Sequence, residues 1–171
     1  MGKILITGGA GFIGSHIADR FEKESYEIII VDNLVGGKLE NIKYLKNYKF
    51  YEADIRNREE LEKIFAENEG VSYVFHEAAQ VSVSVSVNNV HYDAEENVIG
   101  LINVLDMCRK YNVEKILFAS TAAAYGIPES SVSKEDSRIA PLSPYGLSKV
   151  FGENYIRMYN SLFGLNYVIF R

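Results

Sequence analysis

Apolar and polar positions alternate in two rhythms along this chain. Short, largely apolar runs occur at Ile4–Thr7, Glu27–Val31, Tyr48–Ala53, Val71–His76, Lys115–Ala119 and Asn166–Phe170. Runs of this length and composition predict strands buried on both faces. Between them, apolar residues recur at helical spacing. Ile13, Ile17 and Phe21 form one such face, and Leu61, Ile64 and Phe65 another. A long helix is predicted over Asp93–Tyr111, with Val98, Leu101, Ile102, Leu105 and Met107 inward, and one more over Ser143–Leu162. Six strands alternating with helices predict an α/β fold, a doubly wound parallel sheet of the Rossmann kind.

Two segments depart from this rhythm. Val81–Val87 alternates Val and Ser, a period that alone reads as a strand. It directly follows the fourth strand and a crossover must come before the fifth, so it is predicted as a loop leading into the long helix. Residues 126–144 hold all three prolines, Pro128, Pro141 and Pro144, with many serines. A long irregular loop is expected there, and such loops in compact domains are often functional.

Composition narrows the function classes. The 171 residues are 47% apolar and 24% charged, as in ordinary globular proteins, and predict one domain. A net charge of −5 without a basic cluster disfavours nucleic acid and anionic membrane as partners. Cys108 is the one cysteine, which excludes an internal disulfide, and it falls in an apolar helical pattern that predicts a buried, inert thiol. His16, His76 and His91 are scattered, so no metal is expected. There is neither an apolar span of transmembrane length nor a signal-peptide layout, and a cytoplasmic location is expected.

The first strand opens into Gly8-Gly-Ala-Gly11-Phe12-Ile13-Gly14, a G-x-G-x-x-G with one further glycine ahead of it. Glycines let backbone approach a pyrophosphate, and the helix that follows turns its first amides toward the anion. Placed between a strand and a helix, the pattern has the context that dinucleotide binding requires. Asp32 lies 18 residues past Gly14 at the end of the second strand, where a carboxylate can accept both ribose hydroxyls. It would repel a 2′-phosphate, so NAD is expected over NADP. The alternative is a turn with a surface aspartate.

Tyr145 and Lys149 are four residues apart and share a helical face. A neighbouring ammonium favours the phenolate, and bringing a phenol from about 10 to near 7 takes about 4 kcal/mol of such help. With 12 tyrosines in the chain, roughly one Tyr-x-x-x-Lys match is expected by chance. Tyr111 and Lys115 are such a match, straddling a helix end and a strand start, and are read as structural. Tyr145 differs in opening a helix after Pro144, downstream of the fifth strand. Ser120 and Thr121 end that strand at the sheet edge where ligands bind in this fold. Either hydroxyl can bond a reacting oxygen or simply cap a turn.

Taken in order, Thr7-Gly8-x-x-Gly11-x-x-Gly14, Asp32-Asn33-Leu34, Asp54-Ile55-Arg56, His76-x-Ala78-Ala79-Gln80, Asn97, Ser120-Thr121, Tyr125-Gly126 and Pro144-Tyr145-x-x-x-Lys149 resemble the extended short-chain dehydrogenase/reductases. The likeness covers the whole chain and is strongest to the branch that epimerises C4 of UDP-hexoses. It implies that the glycine loop holds the pyrophosphate of NAD, Asp32 and Asn33 the adenosine ribose, and Asp54 and Ile55 the adenine. It further implies that Ala78 and Ala79 pass under the cofactor, that Asn97 lies near its ribose and that Ser120 adjoins it. By the same resemblance Tyr145, Lys149 and Thr121 are the catalytic group. Sister dehydratases and decarboxylases carry acidic residues where this chain has Ala122-Ala123, which favours epimerisation. The family adds a C-terminal nucleotide-sugar domain that these 171 residues do not include. The expectation is therefore an NAD-binding domain over residues 1–171, a UDP-sugar substrate met only with that other half, little turnover alone, and a homodimer.

Overall fold

The computed structural model describes residues 2–127 and 132–171; Pro128 lies outside the described residues. Six strands form one parallel sheet: β1 (Lys3–Thr7), β2 (Glu27–Asp32), β3 (Tyr48–Glu52), β4 (Val71–His76), β5 (Lys115–Ala119) and β6 (Asn166–Phe170). Their order is β3-β2-β1-β4-β5-β6, so the chain reverses its direction of travel between β1 and β4. That switch point opens a crevice at the carboxyl ends of the two central strands.

Strand periodicity sorts the core onto two faces. Ile4, Ile6, Ile28 and Ile30 turn toward α1 (Phe12–Lys23) and the turn carrying Ile42 and Leu45. Leu5, Ile29, Val31, Val74, Ile116 and Phe118 turn the other way. They pack beneath α2 (Arg58–Glu67), α5 (Gly100–Lys110) and α6 (Pro144–Phe163). Each fully buried Ile or Leu contributes about 1.5–3 kcal/mol. Asn57 caps α2 and Ser143 caps α6 by accepting amide hydrogens, and Pro144 fills the first turn of α6, where no amide is needed. Gly164 ends α6 in the left-handed region.

Two expectations need correction. The Val81–Val87 segment is not a loop: α3 (Val83–Asn88) forms there, capped by Ser82, whose Oγ accepts from the Val85 amide at 3.3 Å. Its period of two misleads because the valines face solvent and Ser86 is the buried residue. The helix predicted over Asp93–Tyr111 starts earlier, as α4 (Val90–Ala94), and passes through a π-turn at Glu95–Ile99 before α5. Up to Ser143 the proline-rich loop carries no helix or strand among its described residues, Pro144 already opening α6, and the Ala140 amide ties the loop back to the Ala124 carbonyl at 3.0 Å.

Candidate active site

The glycine turn joins β1 to α1 at the crevice. Gly8 has φ +69°, and a Cβ there would come 2.6 Å from the Ala78 amide nitrogen, so only glycine fits between the turn and the chain leaving β4. A Cβ on Gly14 would fall on the Gly8 carbonyl. Gly11 heads α1 without a side-chain cap, and the first turn holds no acidic residue. The first amides of the helix, at Phe12, Ile13 and Gly14, are therefore free to face an anion. All five of these residues line a cleft of about 550 Å³.

Asp32 closes the far side of the turn. It is 6% exposed; its Oδ2 accepts from the Ala10 amide at 2.9 Å and its Oδ1 from the Leu34 amide at 2.8 Å. The carboxylate is thus fixed while still lining the cleft. Asn33, Ile55, Ala78 and Ala79 line it too. Its charged side chains are Asp32, Glu77 and Glu96, with no lysine or arginine among the described residues.

Asp54 sits outside that lining. Arg56 binds its carboxylate through Nε at 2.9 Å and Nη2 at 2.6 Å, and these bonds hold the carboxyl down to about 2. Asn97 is also off the cleft wall, 2% exposed. It accepts from the Gln80 amide and donates to the Gln80 carbonyl, Asp93 and Ser148. This links the cleft wall at Gln80 to α6 between Tyr145 and Lys149.

Tyr145 and Lys149 occupy successive turns of α6. Lys149 is 3% exposed and donates to the Ala119 carbonyl at 2.9 Å, with its Nζ 5.0 Å from the centre of the Phe118 ring. Burial pushes its ammonium down to about 8, against the pull of Glu77 and Asp93. Burial likewise raises Glu77, and burial beside the Lys149 charge lowers His76 to about 3. The neutral His76 ring pairs with Thr7 at 2.8 Å, pinning β1 to β4. Thr121 caps the turn Ala122–Tyr125 by accepting from the Ala123 amide at 3.1 Å, which leaves its hydroxyl proton to donate. That turn packs on the start of α6: a Cβ on Gly146 would lie 2.9 Å from the Ala123 carbonyl. Lys149, Thr121 and Ser120 thus gather at the end of β5, with Tyr145 one turn ahead of Lys149 on α6, and none of the four lines the cleft.

Sequence reasoning passed over Glu153, one turn beyond Lys149. It is 1% exposed and accepts from Ser120 Oγ at 2.6 Å, from Arg157 at 2.9 Å and twice from Arg171, at 2.7 and 2.6 Å. Burial raises its carboxyl, but these donors outweigh burial and hold it below the usual range. The signal was present: Tyr145, Lys149 and Glu153 repeat at intervals of four. Ser120 Oγ is spent on this carboxylate. Cys108 is buried, which pushes its thiol up, and no metal-binding cluster exists among the described residues. Tyr111 and Lys115 fall at the end of α5 and the start of β5, with the Tyr111 hydroxyl bonded to the Glu62 carbonyl.

Residues 4–171 match the NAD dependent epimerase/dehydratase family. The chain belongs to this family. A Methanocaldococcus jannaschii relative is 50% identical over 169 residues, 98% of this chain and 54% of its own length. The UDP-glucose 4-epimerase of Thermus thermophilus, solved with NAD, superposes with a TM-score of 0.93 at 42% identity, over 99% of this chain and 54% of that one. The Thermotoga maritima UDP-glucose 4-epimerase, solved with UDP-glucose, gives 0.92 at 42% identity over the same shares. The family member described here thus spans about half the length of these proteins.

Proposed function

We propose that residues 1–171 form the NAD-binding domain of a UDP-hexose 4-epimerase. The observation that carries this reading is the pairing of two sites at one sheet edge. One is an acid-lined cleft without lysine or arginine among its described residues, with the first amides of α1 facing it; the other is a buried Lys149 on the helix that carries Tyr145. The cleft fits a dinucleotide: Gly8 and Gly14 leave a cradle that a Cβ would fill, and Asp32 is held rigid for a ribose. NAD is favoured over NADP because a 2′-phosphate would meet the Asp32 carboxylate with no cation in the lining among the described residues.

When bound, NAD supplies reversible hydride transfer. Tyr145 exchanges the proton of the sugar 4-hydroxyl, and the Lys149 ammonium favours its phenolate form. The Thr121 hydroxyl donates to the same oxygen. Inversion at C4 needs that proton removed and then returned after the sugar presents its other face, so one phenol serves both directions. The Ala119 carbonyl holds the ammonium that tunes it. Asn97 and Ser148 keep this turn of α6 registered to the cleft wall.

Leu147, Phe151, Met158 and Leu162 form an exposed apolar stripe along α6, which supports a homodimer. No helix among the described residues is long and apolar enough to cross a membrane. A nucleotide-sugar substrate supports the cytoplasmic location expected from the sequence. A second reading, an NAD-holding module without turnover, rests on the cleft alone, whose lining holds none of Tyr145, Lys149 and Thr121. Titration with NAD and assay with UDP-galactose, on one sample of the 171-residue chain, separates the two. Saturable NAD binding with negligible turnover is expected, and turnover is expected to appear when the relatives' second half is supplied. Failure to bind NAD sinks both readings.

A further inference from the structure

Of the carboxylates that line the cleft, two are already occupied. Asp32 is held by the Ala10 and Leu34 amides. Glu96 is ion-paired with Arg56 at 3.1 Å and hydrogen-bonded with Tyr92. The third is Glu77, the residue that directly follows β4. Its carboxylate makes no hydrogen bond and no ion pair among the described residues. Burial raises this carboxyl, and the Lys149 ammonium draws it back down. Lys149 in turn is supported first by Glu77 and then by Asp93. Glu77 is thus an unpartnered acid on the cleft wall, and it marks the end of the cleft nearest the catalytic helix.

Its place in the sheet decides which part of a dinucleotide it meets. The central strands run β2-β1-β4. Asp32 closes β2, the glycine turn leaves β1, and the Glu77 amide donates to the Thr7 carbonyl at 3.1 Å, beside that turn. A pyrophosphate at the turn and a ribose at Asp32 put adenosine on the β2 side. The nicotinamide half then falls on the β4 side, at Glu77. Its ring is cationic in NAD and neutral in NADH. Hydride from the sugar C4–H bond, with the 4-hydroxyl proton passing to Tyr145, removes that charge, and the return of both restores it. A carboxylate beside the ring in a partly desolvated cleft interacts more favourably with the charged form. No lysine or arginine lines the cleft among the described residues to cancel it.

We propose that Glu77 sets the redox preference of this domain, its carboxylate making the cleft hold NAD more tightly than NADH. This rests on the NAD reading above and adds to it a role for a residue outside the catalytic group. An epimerisation must hand its hydride back in every cycle. A bias toward the oxidised cofactor drives that return and disfavours a complex stalled with NADH.

The test is titration of the 171-residue chain at neutral pH, with NAD by calorimetry and with NADH by fluorescence, in wild type, Glu77→Gln and Glu77→Asp. Wild type is expected to bind NAD about tenfold more tightly than NADH. A tenfold ratio makes the potential of the bound couple about 30 mV more negative than that of the free one, a second readout. In Glu77→Gln, of the same size without the charge, the ratio should fall to one or invert, because the Lys149 ammonium is then less opposed. Glu77→Asp keeps the charge and should restore the preference. The ratio is taken within one protein, so a general loss of stability in a variant cancels. Equal affinities in wild type, or tighter binding of NADH, overturn the proposal even if neither variant folds. A ratio in Glu77→Gln equal to that of wild type overturns it too. Absence of NAD binding in wild type is a different failure, that of the cofactor reading itself.

Discussion

Replacing Lys149 with methionine should make the protein more stable while removing the cation proposed to tune Tyr145. The ammonium is 3% exposed, and burial takes it from its ordinary 10.5 down to about 8. At about 1.4 kcal/mol per tenfold, keeping it charged at pH 7 costs the fold about 3 kcal/mol. Methionine has similar length and no charge, so Lys149→Met recovers that cost. It forfeits the bond to the Ala119 carbonyl, about 1 kcal/mol, which leaves a net gain of about 2 kcal/mol. The sign with pH follows from proton counting. Between about 8 and 10.5 the unfolded chain still holds a proton that the folded Lys149 has released, so wild-type stability rises with pH across that window. Wild type should therefore gain about 2 kcal/mol between pH 7 and pH 9.5, and the advantage of the variant should close. Urea unfolding followed by circular dichroism at both pH values measures this. A variant less stable than wild type at pH 7, or a gap that persists at pH 9.5, refutes the reasoning.

Gly14→Ala puts a methyl group on the Gly8 carbonyl, so the turn must open. A stability loss of about 1–3 kcal/mol and an NAD affinity at least about tenfold weaker are expected, read by urea unfolding and calorimetry. Asp32→Ser removes an acceptor from the Ala10 and Leu34 amides, costing about 1–3 kcal/mol. It should also narrow the preference for NAD over NADP, as measured by competitive titration; an unchanged preference would show that Asp32 does not set it.

The strands were legible because each apolar run is too short for a helix and is bounded by turn residues. The glycine turn was legible for the same reason, since its context is local. Elements that depend on distant contacts were not. In the Val81–Val87 segment the buried residue is Ser86, so a reading built on apolar burial had nothing to follow. The π-turn was hidden because Glu96, as a charged residue, reads as part of the solvent face. Asp54 shows another limit: its carboxylate is claimed by Arg56, two residues away, which the motif does not reveal. Tyr145 was distinguished from the chance match at Tyr111 only by position, after Pro144 and beyond β5. The structure adds the physical distinction, a buried ammonium held by the Ala119 carbonyl.

The pinning of β1 to β4 by Thr7 and His76 carries a consequence for the order of folding events. These partners are 69 residues apart, and the two turns that wall the cleft leave the sheet beside them. Closing so long a loop must be completed before its contacts repay the entropy, which makes this pairing slow relative to the local β1-α1-β2 unit. The glycine turn therefore forms early within that unit, but without Glu77–Ala79 opposite it there is no cleft. A ligand that recognises only the closed crevice cannot template the early chain. It acts after the fact, by mass action on the finished sheet.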